Sequence, residues 1–360
     1  MSKVEQGFLL LADLTGYTAY LARGELAHAP VIAGDLLETI VGRLEPPFRL
    51  AKFEGDAAFL FAEDDRADPS LLLDSIEASY LAFRRRLRSI ESATSCDCQA
   101  CSLAPRLDLK YFVHHGPYLR SSIAGRDELA GPEVIVAHRL LKGTAAADAR
   151  GHGFAVFTGA ATTALGLDPA VLSLIAGHEE IEHIGEVATF TLDLERSWAT
   201  ETARRRLGSG DGRRLFDVEI DLGAPLAVAW AHLTSPTLRP RWEGPIDIIE
   251  TAVNGRRGVG MTTRCVTGRL ATIEEVVDWQ PFDHVGRRIA VPGLGIVDAS
   301  TDLEADGERT RVRLSWDSHA PEPVDAATIE VQRVEMAAAF HRLRDLLARE
   351  VAVLEDEVTR

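Results

Sequence analysis

Hydrophobic positions along this 360-residue chain change texture near residue 200. Before it, Gly7 to Leu14 has the pattern of a buried strand. Val31 to Leu44 then places Ile32, Leu36, Leu37, Ile40, Val41 and Leu44 at the spacing of an amphipathic helix. Phe48 to Phe61 predicts a hairpin around Phe53-Glu-Gly-Asp56, and Ser70 to Ile90 predicts a helix with Leu73, Ile76, Tyr80, Phe83 and Leu87 on one face. Leu107 to Val113 alternates as a strand, Val134 to Lys142 reads as helix, and Phe154–Phe157 and Ala188–Leu192 predict closing strands. Strands and helices interleaved in this way predict an α/β sandwich.

After residue 200 short strands dominate. Leu215–Leu222 predicts a strand and Ala224–Leu233 a short helix. Strands are then predicted at Ile246–Val253, Met261–Val266, Ala271–Trp279, Val285–Val291, Val297–Leu303 and Thr310–Trp316. A final helix is marked by Phe340, Leu343, Leu347, Val351, Leu354 and Val358. A curved antiparallel sheet gripping that helix is the simplest assembly of these parts. Between the two textures, Thr200 to Arg214 combines a basic cluster with Gly-Ser-Gly-Asp-Gly and has no apolar face, so it predicts a linker. The expected organisation is a domain over 1–198, a linker over 199–213 and a second domain over 214–360, and the α+β class follows. At roughly 150 residues per domain, the length accommodates both.

Charge narrows the function. Lys and Arg total 39 against 55 Asp and Glu, a net of −16, which argues against bulk binding to nucleic acid or an anionic membrane. No apolar run approaches the ~20 residues of a membrane span, and the start MSKVEQG has no secretory apolar region, so a cytoplasmic protein is expected. Four cysteines, three of them in Cys96-Asp-Cys98-Gln-Ala-Cys101, make no disulfide framework for a chain this long.

Two carboxylates stand beside glycines at strand ends: Asp13 in Asp13-Leu-Thr-Gly16-Tyr17-Thr18, and Asp56 in Lys52-Phe-Glu-Gly55-Asp56. Each can serve a turn or a helix cap; side by side, they can also share hard cations such as Mg²⁺. Both segments resemble the class III nucleotidyl cyclase catalytic domain, whose first strand ends Asp-x-x-Gly-[Phe/Tyr]-Thr and whose hairpin reads Lys-x-x-Gly-Asp. Gly131-Pro-Glu-Val-Ile-Val-Ala-His-Arg139 resembles that family's Gly-x-x-Val-Asn-x-Ala-x-Arg helix, so the likeness spans residues 7 to 192. It implies a ferredoxin-like α/β sandwich acting as a homodimer. By resemblance Asp13 and Asp56 are metal ligands, Lys52 and Glu128 read the purine of an ATP-like nucleotide, and Arg139 contacts the α-phosphate.

The departures from that pattern bear on catalysis. Ile135 stands where the ribose-orienting asparagine is usual and cannot hydrogen-bond. The phosphate-gripping lysine near the last strand is missing from Glu182-His183-Ile184-Gly185-Glu186. Without both groups, in-line attack by the 3′-hydroxyl should face a barrier higher by several kcal/mol. The chain is closer to an uncharacterised bacterial cyclase-like family that carries a Cys-x-Cys-x-x-Cys insert and a His138-to-Lys142 helix. Cys96, Cys98 and Cys101 can share one zinc with a further ligand, for which His114-His115 are candidates; the alternative is a free-thiol or redox-sensitive loop. The basic run Arg84, Arg85, Arg86 and Arg88 reads as a solvated helix face.

In the second half, the strand order, the Ala-Pro-Leu-Ala-Val-Ala-Trp230 helix start, Pro-Arg-Trp242 and the long last helix resemble the START-like, polyketide-cyclase-type helix-grip superfamily over about 214 to 355. That resemblance implies an apolar small molecule between sheet and helix, with Trp242, Met261, Val276, Val291 and Phe340 as candidate lining residues. His284 and His319 read as surface or structural. The leading expectation is a regulatory or ligand-binding protein with an impaired cyclase-like domain. The alternatives are an Mg²⁺-dependent adenylyl cyclase tuned by the second domain, and a START-like enzyme of polyketide-type metabolism.

Overall fold

The computed structural model describes residues 3–25, 27–93, 98–123, 126–143, 153–203, 212–244, 246–251, 256–267, 270–291, 293–320 and 324–358. It forms two compact units, Met1–Ala203 and Arg204–Arg360.

The first unit is built on strand β1 (Lys3–Thr15), followed by helices α1 (Tyr17–Arg23) and α2 (Ala29–Leu44), the hairpin β2 (Arg49–Glu54) and β3 (Ala57–Glu63), and helix α3 (Pro69–Ala93). Then come α4 (Gln99–Leu103), β4 (Asp108–Ile123), β5 (Arg126–Ala130), α5 (Pro132–Leu140), β6 (Phe154–Thr158), α6 (Gly159–Ala164), β7 (Ile175–Ile181), β8 (Gly185–Asp193) and α7 (Leu194–Ala203). The sheet runs β2-β3-β1-β4-β6-β8-β7, with β5 paired to β4, and only β4 and β6 run parallel among the described pairs. The order of the first four strands is that of a ferredoxin-like sandwich.

Alternation along β1 divides its side chains between two cores. Phe8, Leu10, Ala12 and Leu14 pack with α2 and α3, whereas Leu9 and Leu11 join Phe59, Phe112 and Val134 on the side covered by α5. Residues burying both faces of a central strand read as an apolar run, which is why β1 was legible. Asp68 starts α3 by accepting hydrogen bonds from Ser70 N at 2.9 Å and Leu71 N at 3.3 Å.

Several elements differ from expectation. Strand β4 continues past His114-His115-Gly-Pro to Ile123 because the 13-residue β1 pairs with it as far as Lys3↔Arg120. Strands β5 and β7 carried no apolar alternation, and β7 buries only Glu179 and Ile181. The basic run on α3 is half-exposed to exposed, as a solvated face would be, but its side chains are partnered. Arg84 pairs with Glu195 at 2.7 Å, Arg85 with Glu201, and Arg86 with Asp35 at 2.6 and 2.9 Å, while Arg88 lies 4.4 Å over the Trp198 ring. These contacts fasten α2 and α7 to α3.

The second unit begins with β9 (Arg213–Leu222), α8 (Leu226–Thr234) and α9 (Pro240–Glu243). Strands β10 (Asp247–Thr251), β11 (Thr262–Thr267), β12 (Leu270–Gln280), β13 (His284–Val291), β14 (Gly295–Asp306) and β15 (Arg309–Ser318) precede the last helix, α10 (Ala326–Val358). The antiparallel sheet is ordered β10-β11-β12-β13-β14-β15-β9. Helix α10 packs on it through Ala339, Phe340, Leu343 and Leu347, all buried. Arg342 also donates to the carbonyls of Trp242 at 2.7 Å and Glu243 at 2.8 Å, fixing α9 to the long helix. This is the helix-grip arrangement.

The tryptophans divide by role. Trp230 is fully buried and meets Trp279 edge-on at 4.9 Å and Phe282 at 6.1 Å, so this end of the unit is filled. Truncating Trp230 to alanine should destabilise the second unit by about 3–5 kcal/mol. Urea unfolding followed by circular dichroism measures this, and a loss under 1 kcal/mol would mean that the aromatic cluster is not part of its core.

Candidate functional site

Both motif glycines take left-handed backbone. Gly16, at φ 89°, ends β1, and Gly55, at φ 68°, turns the β2–β3 hairpin. The hairpin turn is tied to β1 by a hydrogen bond from Leu14 N to Asp56 O at 3.3 Å. Asp13 pairs in register with Ala57 on one side and Lys110 on the other. Burial and then the neighbouring Asp56 carboxylate push the Asp13 carboxyl up to about 6, against a smaller opposing effect of Lys110. A half-buried carboxyl whose ionisation is opposed by a second carboxylate beside it forms, with that neighbour, a fitting donor set for a dication.

The other nucleotide-reading candidates also come together. Lys52 Nζ lies 2.9 Å from Glu128 Oε2 and 3.3 Å from Glu54 Oε1, and Glu54 reaches His138 Nε2 at 3.0 Å. The hydrogen bond to Glu128 raises the Lys52 pKa. Burial alone would raise Glu54, but His138 and Lys52 outweigh it and hold its carboxyl below the ordinary value. Arg139 sits on the exposed side of α5, one turn after Ile135, where both line an open recess of about 220 Å³ with Val134, His138 and Lys142. Ile135 is 53% exposed there and offers a ribose nothing to bond.

The thiol group lies where the start of α2 meets α4. Cys98 caps α4, and its Sγ accepts Cys101 N at 3.4 Å. His28, just before α2, places Nδ1 at 3.2 Å from Cys98 Sγ and 3.8 Å from Cys101 Sγ. Glu25 holds the same corner by accepting the amides of Gln99 at 3.1 Å and Ala100 at 3.0 Å, and these bonds draw its carboxyl down to about 2. Cys96 lies outside the described residues. The histidines proposed from sequence are elsewhere: His114 is buried between Thr158 at 2.9 Å and Glu133 at 2.6 Å, and His115 faces Asp64 at 3.0 Å. Sequence reading missed His28 and Glu25 because their contact with the cysteines spans about 70 residues without a local motif.

The second unit holds a cavity of about 260 Å³ between sheet and α10. Of the candidate residues, Trp242, Val291 and Phe340 line it, together with Trp316, Leu314 and Met336. Met261 and Val276 do not line it. They are buried and backbone-bonded to each other at 2.8 Å, beside the bulge that breaks β12 between Val276 and Asp278. Nor is the cavity wholly apolar, because Arg239, Glu243, Glu274 and Arg287 also line it. His284 is structural and buried, bonded to Asp302 at 2.8 Å, and His319 bonds Asp298 at 2.7 Å.

These features define a ferredoxin-like sandwich and, in the same chain, a helix-grip domain. The family model described as polyketide cyclase / dehydrase and lipid transport matches residues 213–348, and a family of unknown function, DUF2652, matches 33–149. The Mycobacterium tuberculosis protein described as uncharacterized protein Rv2561/Rv2562 is 30% identical over 162 residues, covering 45% of this chain and 73% of that protein. The chain belongs to the family of that mycobacterial protein. Among solved structures, a bacterial light-regulated adenylyl cyclase is similar at 12% identity and TM-score 0.43, over 54% of this chain and 53% of the other, so this chain spans about half its length. The adenylyl cyclase CyaB from P. aeruginosa is similar at 15% identity and TM-score 0.40, over 58% of this chain and 100% of that one.

Asp13 gives a pH test. Its folded pKa lies above the ordinary 3.8, so stability is undisturbed at low pH and is lost as pH rises from 3.8 through about 6. With chelator present, Asp13→Asn should stabilise the protein by about 1 kcal/mol at pH 8, after allowance for solvent screening, or roughly 2–4 °C in Tm. The gain should be roughly halved at pH 5. A variant less stable than wild type at pH 8 would show that attraction to Lys110 outweighs repulsion from Asp56.

Proposed function

We propose that this chain is a cytoplasmic, homodimeric regulatory protein that binds a small molecule in its second unit and a nucleotide in its first, with little or no cyclisation. The cavity of about 260 Å³ under α10 carries this reading, being close to the lower end of the range for small-molecule sites, about 300 Å³. Its tryptophan and phenylalanine walls suit an apolar ligand body. The nucleotide half is supported by the Lys52–Glu128 pair, which offers a donor and an acceptor to a purine edge. Asp13 and Asp56 would hold Mg²⁺, which supplies positive charge for a polyphosphate. Ile135 leaves the ribose without an orienting partner, so binding outlasts turnover.

Purified protein given ATP and Mg²⁺ should form no cyclic AMP above background. Calorimetry should register ATP binding that weakens about tenfold or more in Lys52→Ala, the loss expected for a charged hydrogen bond. Turnover near 1 s⁻¹ or faster, abolished by Asp13→Ala, would instead establish an active adenylyl cyclase. Absence of ATP binding would remove the nucleotide from the proposal.

A second reading concerns zinc. His28, Cys98 and Cys101 present ligand atoms within 4.8 Å of one another, which matches donors arranged around one tetrahedral ion. We infer that they hold Zn²⁺ at this corner, where Glu25 fixes the α4 end of the site. Elemental analysis of purified protein should find one zinc per chain, lost in His28→Ala and in Cys98→Ser. Absence of metal, with thiols that react freely in the native protein, would leave the redox-sensitive loop.

A further inference from the structure

The charged groups on the cavity wall are unequally satisfied. Arg239 is fully engaged: Nε and Nη2 donate to Glu243 at 2.6 and 3.1 Å, and Nη1 and Nη2 donate to Glu274 at 2.8 and 3.0 Å. Both nearby carboxylates are therefore committed to one guanidinium. Arg287 is 8% exposed and donates through Nη2 to Leu233 O at 2.7 Å. Its Nε has no hydrogen-bond acceptor, and Glu274 Oε2 stands 3.8 Å from it. Burial and then the like charge of Arg239 draw the Arg287 pKa down to about 10, the mark of a cation short of compensation.

A buried donor without a partner costs about 1–3 kcal/mol, more for a charged group. Arg287 lines the cavity together with Ile289, Val291, Trp242, Trp316 and Phe340. Because Arg239 already holds Glu243 and Glu274, Arg287 is the cation left short of an acceptor on this mixed wall, and beside the aromatic side chains it distinguishes the two ends of a ligand. We propose that the second unit binds a small monocarboxylic acid, with its carboxylate accepting from Arg287 and its aliphatic or aromatic body between Trp242, Trp316 and Phe340. This deepens the ligand-binding reading and rests on it.

The test uses the full chain and matched probes: decanoate against decanol, and 2-naphthoate against 2-naphthol, by calorimetry at pH 7.5. At least one acid should bind tenfold or more tightly than its alcohol, and Arg287→Met should bring the two within about twofold. Val291→Phe, which fills the cavity without touching the guanidinium, should abolish binding of both. Should Arg287→Met fail to fold, Arg287→Lys should keep a preference for the acid, reduced but above twofold. Equal binding of acid and alcohol by wild type would overturn the carboxylate assignment and leave a ligand cavity standing. No binding of any of the four probes would overturn the assignment; if broader apolar panels also fail to bind, the ligand-binding reading fails separately.

Discussion

The first unit depends on burying β1 between two neighbours and two layers. It pairs with β4 from Lys3 to Thr15 and with β3 from Gly7 to Asp13, and its alternate side chains enter separate cores. Close packing sets even its glycine, because a Cβ at Gly7 would stand 2.1 Å from the Ala62 carbonyl oxygen. A strand so confined has one register, since a slip of one residue would exchange the two cores. That register carries Asp13 to the face shared by Leu9 and Leu11, beside the hairpin turn that holds Asp56. The pairing of the carboxylates is thus a consequence of core packing, and their mutual repulsion is a cost the fold sustains at one end of a central strand.

A related cost is sustained differently in the second unit. Burying Arg239, Glu243, Glu274 and Arg287 is expensive, and well-packed apolar residues commonly do as well or better for stability. Glu274 nevertheless stays ionised: burial opposes its charge, but Arg239 outweighs it and the carboxyl lies below its ordinary value. The thiol of Cys265 beside this group is held neutral, pushed up to about 12 by burial and by Glu274. The charge is concentrated on Arg239, which holds Glu243 and Glu274 by two hydrogen bonds each, leaving Arg287 as the exception. At the other end of the unit Trp230, Trp279 and Phe282 close the interior, so open space and unsatisfied charge occur together.

What could be read from sequence follows from how local each signal was. Val31–Leu44 and the Phe340–Leu347 segment announced helices through their own periodicity, and the Asp13 and Asp56 motifs announced turns through glycines that the backbone does require. Lys52 and Glu128 were placed only by family resemblance, and the β4–β5 pairing that brings them together has no apolar pattern. His28 was invisible because a helix-start histidine becomes a candidate ligand only when a loop 70 residues later arrives beside it. Met261 and Val276 were misassigned for a geometric reason: alternation predicts an inward face, but a bulge in β12 decides which inward residues reach the cavity. The charge of the cavity was missed because Arg239, Glu274 and Arg287 lie on three elements, each polar residue isolated in its own segment.

On the reading proposed above, the first unit separates recognition from chemistry. Lys52 and Glu128, proposed to read a base, are engaged with each other, and the Asp13 and Asp56 carboxylates are neighbours. Both functions tolerate modest imprecision, because a base edge or a dication can adjust to its donors. Phosphoryl cyclisation does not: it needs the ribose hydroxyl held in line, and a misplacement near 1 Å can cost about a hundredfold in rate. Ile135 is apolar on the exposed side of α5, although a surface helix position would accept a polar side chain at no packing cost. On the proposed reading such a residue costs a binding surface nothing, whereas a turnover site would lose an orienting hydrogen bond there.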